Sequence, residues 1–216
     1  MADQLYLSVW FPNFRLEALP AALVSVLRQF ALISGEKRVF AASAYPIGFT
    51  ESPTYQRIYV NDDRAEDSGA SQIENAVAEA TEQLHDDMAY EFEMKWKLWM
   101  PESSGSTDPA LSLDTLWKRQ PATVRILGFG PEFDDAGYEQ NGHIRVDFGL
   151  DTPWIMDDTA EQLDEETQKY IQQNIEMLLA FTLSVEKHCG ISSRLLWTES
   201  GEPLAEKLIA RFQHLN

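Results

Sequence analysis

The sequence predicts an α+β fold, and three observations carry that prediction. Tyr90, Phe92, Met94, Trp96 and Leu98 alternate strictly with Glu91, Glu93, Lys95 and Lys97, the period of a strand with one apolar and one charged face. Leu19, Leu23, Val26, Leu27 and Phe30 recur at the spacing of one helical face. Strand and helix patterns are also interleaved. Over residues 1–100 the order is strand, helix, strand, strand, helix, strand, which is that of a ferredoxin-like βαββαβ unit. A weaker ββαβα order follows over residues 123–216, as a divergent structural repeat would show, although no residue-level repeat is visible. The expected organisation is a ferredoxin-like unit over 1–100, a linker or long loop over 101–122, and a second α+β unit over 123–216 packed on the first. With 216 residues, 44% of them apolar, the chain can bury a core of that size.

Each element has a local cause. Leu5 to Phe11 alternates with β-rich composition. Pro20 suits the first turn of the following helix, where its missing N–H costs nothing, and Gly35 suits its C-terminus. Arg38–Tyr45 and Thr54–Val60 read as two strands around a turn holding Pro46, Gly48 and Pro53. Ser71-Gln-Ile-Glu74 reads as a capping box opening a helix that runs to about Asp86. Residues 101–122 are rich in turn formers. In the second part Thr123–Phe129 and His143–Gly149 read as strands. A long helix follows from about Ala160 to His188, with Ile171, Ile175, Leu178, Leu179, Thr182 and Val185 on its expected buried face. Arg194–Thr198 is a short strand, and Pro203–His214 a closing helix.

Charge is the strongest compositional signal. Seventeen basic and 35 acidic side chains give a net charge of -18. Residues 61–93 hold eleven acids against Arg64, and residues 132–166 hold twelve against Arg145. Part of each block is structural, because carboxylates gather before helix starts, where the helix dipole favours them. No basic stripe is present, so nucleic acid and anionic membranes are not expected partners. No stretch reaches the roughly 18 uncharged apolar residues of a membrane span. The Met-Ala-Asp-Gln start lacks a signal-peptide pattern, and a single cysteine excludes an internal disulfide framework, so a cytoplasmic setting is expected.

No motif names an activity. Glu186, His188 and Cys189 are the one local group resembling an activated thiol, but a helix C-terminus raises rather than lowers a thiol pKa, so Cys189 reads as a packing residue. His85 reads as a helix C-terminal charge, His143 suggests no metal face, and His214 sits in the last three residues, where fraying is common. The pairs Asp62-Asp63, Asp134-Asp135 and Asp157-Asp158 match no calcium loop. Gly128-Phe-Gly130-Pro131 is no phosphate cradle. Accordingly no catalytic residue, cofactor or metal ligand is assigned.

The expectation is a soluble, acidic, non-catalytic binding protein acting on a protein partner or as a homodimer. The alternative is an enzyme or small-ligand domain using carboxylates in a cleft between the two halves. The interaction face is expected on the outer side of the first sheet, at Tyr6, Trp10, Glu91 and Trp99. A ferredoxin-like unit would pair its first and fourth strands antiparallel, bringing Tyr6 toward Trp99 and Trp10 toward Glu91.

Overall fold

The computed structural model describes residues 3–59, 69–101, 117–135, 137, 141–154 and 165–200. Seven strands form one antiparallel sheet: β1 (Gln4–Trp10), β2 (Ala41–Pro46), β3 (Tyr55–Ile58), β4 (Met88–Pro101), β5 (Trp117–Phe129), β6 (Ile144–Leu150) and β7 (Ser193–Thr198). Their order in the sheet is β3-β2-β4-β5-β6-β1-β7. Three helices, α1 (Leu19–Ser34), α2 (Gly69–Ala80) and α3 (Glu165–His188), complete the α+β architecture.

The strand pairing departs from the expected ferredoxin-like unit. β1 does not pair with β4 but lies between β6 and β7. β4 pairs with β2 on one side and with β5 on the other. β4 and β5 are consecutive strands, and pairing them closes a shorter loop than pairing β4 with the N-terminal strand would. The strand order does not separate residues 1–100 from the rest, and the repeat is not evident in it. Element limits also shift. β5 begins at Trp117, so the stretch expected as linker contributes a strand end. α2 begins at Gly69, placing Ser71 inside the helix rather than at its cap, and ends at Ala80. The closing helix expected over 203–214 lies outside the described residues.

Alternation sorts the strands into two faces. Leu5, Leu7 and Val9 of β1, Phe92, Met94, Trp96 and Leu98 of β4, Val124 and Ile126 of β5, and Ile144, Val146 and Phe148 of β6 point to one side and are buried. All three helices pack there, sharing one core. Leu16–Ser34, with a mean hydropathy of 1.6, is long and apolar enough to cross a membrane by composition. Its Leu19, Leu23, Val26, Leu27 and Phe30 are buried as in a core helix. Gly128 lets α1 approach the sheet this closely, since a Cβ there would lie 2.7 Å from Leu19 Cδ1. Trp154 lies at the centre of this core, edge-on to Trp96 and Phe148.

Beyond β2 and β6, β4 and β5 continue as a two-stranded arm, from Met94↔Val124 to Pro101↔Trp117. Here β4 has lost its neighbour on one side, and α3 supplies a substitute. The buried Asn174 accepts from Trp99 N–H through Oδ1 (3.0 Å) and donates through Nδ2 to Trp99 C=O (2.8 Å) and Pro153 C=O (2.9 Å). One side-chain amide thus meets both peptide groups that a missing strand would have met. Replacement of Asn174 by Ala should orphan these buried groups and lower stability by about 3 kcal/mol. Asn174→Asp, which loses the donors and buries a charge, should cost more. Urea unfolding of the two variants checks both magnitude and order.

Candidate functional site

No described helix covers the second sheet face, and its side chains form two cross-strand rows. One row runs Glu93, Arg125, Asp147, Tyr6 and Trp197 across β4, β5, β6, β1 and β7. The adjoining row runs Ser43, Glu91, Leu127, Arg145, Ser8 and Leu195 from β2 to β7. Carboxylates and guanidiniums therefore alternate over the middle of the face. Arg125 bridges the two glutamates, with its Nε 3.4 Å from Glu93 and 4.0 Å from Glu91. Because Arg125 is about half exposed, these pairs contribute register more than stability. Burial pushes the Glu91 carboxyl above its ordinary pKa, opposed by Arg125.

Glu91 and Arg125 lie in a groove of about 600 Å³ with Phe40, Tyr45, Tyr59 and Lys95. Its rim at β3 is held by α2, where Glu79 accepts from Arg57 (2.6 Å) and from the hydroxyls of Tyr55 and Tyr59 (3.3 Å each). Phe40 lies between two cations, with Lys95 Nζ 4.4 Å and Arg38 Cζ 4.8 Å from the ring centre. The Lys95 charge is thereby fixed over an aromatic surface at the groove.

A second feature lies beside the groove. The Arg145 guanidinium sits 5.2 Å from the Tyr6 ring, 5.2 Å from Phe129 and 6.0 Å from Phe49. Among the described residues its buried Nε has no hydrogen-bond partner, a state that costs about 1–3 kcal/mol. Burial pulls the guanidinium below its ordinary pKa, and Tyr6, Asp147, Asp134 and Glu91 act in the other direction. Phe49, Phe129 and Phe133 form mutual edge and tilted contacts around a small buried cluster of Ala89, Leu127, Phe129 and Phe133. The loops that carry these rings are tied together. Ile47 N–H donates to Asp87 C=O (2.6 Å), and Asp134 N–H donates to Ile47 C=O (2.8 Å). Gly130 permits the crossing, since a Cβ there would meet Asp86 O at 2.2 Å. Ile47, Asp134 and Asp135 all hold positive φ (64°, 51° and 52°). For the β-branched Ile47 this is a real strain, of about 1–3 kcal/mol.

The structure does not gather the four residues expected at the interface. Tyr6 lies on this face, tilted against Trp197 at 4.6 Å between ring centres. Glu91 is also there, but three strand positions away from β1. Trp10 ends β1 opposite Ser193, and its carbonyl accepts from Ser192. Trp99 has gone to internal packing. Its Nε1–H donates to Gln173 (2.9 Å) and its ring lies 4.2 Å from Tyr170 of α3, because the twist of the arm has turned this position toward the helix. Arg125, Arg145 and Phe49 were not anticipated. The alternation Ile144, Val146, Phe148 against Arg145, Asp147 carried the signal for Arg145.

The remaining chemistry is structural. Cys189 Sγ accepts from Ser25 Oγ–H (3.3 Å), and burial pushes the thiol pKa up. Glu186 pairs with Arg194 at 2.7 Å rather than with His188. No group of three or more His, Cys, Asp or Glu that could hold a metal ion occurs among the described residues. Asp62-Asp63 and Asp157-Asp158 lie outside them, as does His214. Set against known proteins, the chain matches no family model, no curated protein and no solved structure.

Two buried groups give opposite pH dependences. His143 is buried, stacks on Phe14 at 4.0 Å, and accepts from Phe11 N–H through Nδ1 (2.9 Å), which requires the neutral ring. Burial pulls its pKa down to about 4. The unfolded chain then binds more protons between pH 4 and 6.5, so stability due to His143 is complete above pH 6.5 and falls as pH drops, by up to about 3 kcal/mol. Glu91 has the reverse sign. Its raised pKa makes the folded state bind more protons above the unfolded value near 4.5, so stability falls as pH rises. Denaturation of His143→Asn and Glu91→Gln across pH 4–7 should remove the rising slope in the first and the falling slope in the second.

Proposed function

We propose that this chain is a non-catalytic binding protein that recognises a protein partner through the helix-free face of its sheet. One observation carries the reading. The face mixes alternating charges with large exposed apolar side chains, Ile58 on β3, Leu195 on β7 and Phe49 between β2 and β3, at 71%, 52% and 41% exposure. Apolar and aromatic groups set among solvated charges are the composition of an interface with a wet rim. With a net charge of -18, the chain favours a basic partner and faster association at low salt. A cytoplasmic protein of this kind needs no cofactor. A second copy of the chain is the other protein that could fill this role.

A second reading has its own support. Glu91 and Glu93 project from one strand into the groove beside Arg125 and Lys95, and burial raises the Glu91 pKa. Carboxylates perturbed in this way in a cleft are candidates for acid–base work or for binding a cationic small molecule.

The double variant Ile58→Ser, Leu195→Ser separates the two. Both side chains are exposed, so the unfolding midpoint should not move. Capture of a partner from host extract at low salt should fall at least about tenfold, and capture by the unaltered chain should weaken as salt is raised. Unchanged capture by the variant, or a self-association that the variant retains, would overturn the face as the protein-binding surface. Loss of a small-molecule response in Glu91→Gln alone would favour the groove instead.

A further inference from the structure

Arg145 bears a desolvation cost that no hydrogen bond among the described residues offsets at Nε. The core on the helix side is complete without it, yet its Nε is buried and unmet. It is the sole lysine or arginine among residues 132–166. The loop that roofs it is held by a strained Ile47, and the roof itself, Phe49, is part-exposed. We propose that Arg145 is the docking point for a carboxylate carried on an apolar group.

The chemistry follows from the walls and the fork. A guanidinium offers two parallel N–H donors that match a planar carboxylate. Tyr6, Phe49 and Phe129 supply aromatic surface for the apolar body attached to it. Phe49 stands on a loop and is the most exposed of the three rings around the guanidinium. Phosphate is the poorer fit, because Asp147, Asp134 and Glu91 all act on this guanidinium and repel a dianion more than a monoanion. The inference deepens the reading of this face as a recognition surface. The terminal carboxylate of a protein and a free carboxylic acid share the chemistry.

The test follows the Arg145 Nε–H resonance of the full chain by NMR at low salt. N-acetylphenylalanine should give a saturable shift. N-acetylphenylalaninamide and inorganic phosphate should bind at least about tenfold more weakly. Arg145→Gln should lose the acid's effect on the neighbouring backbone amides, and Arg145→Lys should retain only a weakened one. No saturation with the acid, an equal response to the amide, or undiminished binding by Arg145→Gln overturns the proposal. Should Arg145→Gln fail to fold, the acid–amide comparison on the unaltered chain decides alone. A peptide ending in phenylalanine that binds about tenfold tighter than N-acetylphenylalanine assigns the carboxylate to a protein terminus, and equal affinity assigns it to a free acid. Carboxylate binding without protein capture would overturn the partner reading and leave this one standing; capture without carboxylate binding would do the reverse.

Discussion

The antiparallel ladder between β4 and β5 runs unbroken from Ala89↔Phe129 to Pro101↔Trp117, and the other elements are placed by what it leaves unmet. Near the loop-cluster end, β2 pairs with Met88–Glu93 and β6 with Arg125–Gly128, and the sheet grows outward from both sides. Along the arm neither neighbour continues, so each strand has an edge without a ladder partner among the described strands, and the apolar Trp96 and Leu98 lie on one face. α3 answers both needs. It covers the face with Ile171, Ile175 and Leu178 and meets the edge at Trp99 through the Asn174 amide. The same amide holds Pro153, and the Asn174 carbonyl accepts from Trp154 Nε1–H (3.2 Å). A polar side chain at the core of an amphipathic helix is thus what joins the helix layer to the arm.

One-sided packing then divides the labour of the sheet. The helix face is apolar, buried and free of strained backbone at its centre, although the Trp96 Nε1 there is also buried without a partner among the described residues. The opposite face carries the alternating charges, the orphaned Arg145 Nε and the rings gathered at the loop cluster. Ile47 and Asp134, both at positive φ, are hydrogen-bonded to each other where two loops cross. Costs of this kind persist only where surrounding structure enforces them. Here that support is the buried cluster of Ala89, Leu127, Phe129 and Phe133, which sits on the helix-free side and adds nothing to the main core.

Much of this was legible in residue order. Alternation in Tyr90–Leu98 and helical spacing in Leu19–Phe30 define faces that the structure keeps, and Gly35 and Gly190 end their helices with positive φ (74° and 65°). Alternation cannot say which strands become neighbours, because the period of two is satisfied by any partner. That is why β1 was expected beside β4 and why Tyr6 and Trp99 were placed together. Trp99 shows a second limit. By parity it belongs with Glu91 and Glu93, but at the end of a twisted two-stranded arm parity no longer fixes direction, and its indole reaches Gln173. The end of the stretch expected as a linker, Trp117 to Ala122, instead belongs to β5. At the edge of a projecting arm Pro121 is tolerated, since one side of the strand has no ladder to lose.

Net charge and local charge point to different partners, and the difference is one of range. The excess of 18 negative charges acts at a distance, where it favours a basic partner and is screened beyond about 8 Å at physiological salt. At contact, the cations that the sheet face has gathered weigh more. Arg125 is already engaged by Glu91 and Glu93, and Lys95 is held over Phe40. Arg145 alone combines partial burial, aromatic walls and an unmet donor. A basic surface bearing a single carboxylate would satisfy both ranges, drawn in by the long-range field and fixed in register by the guanidinium.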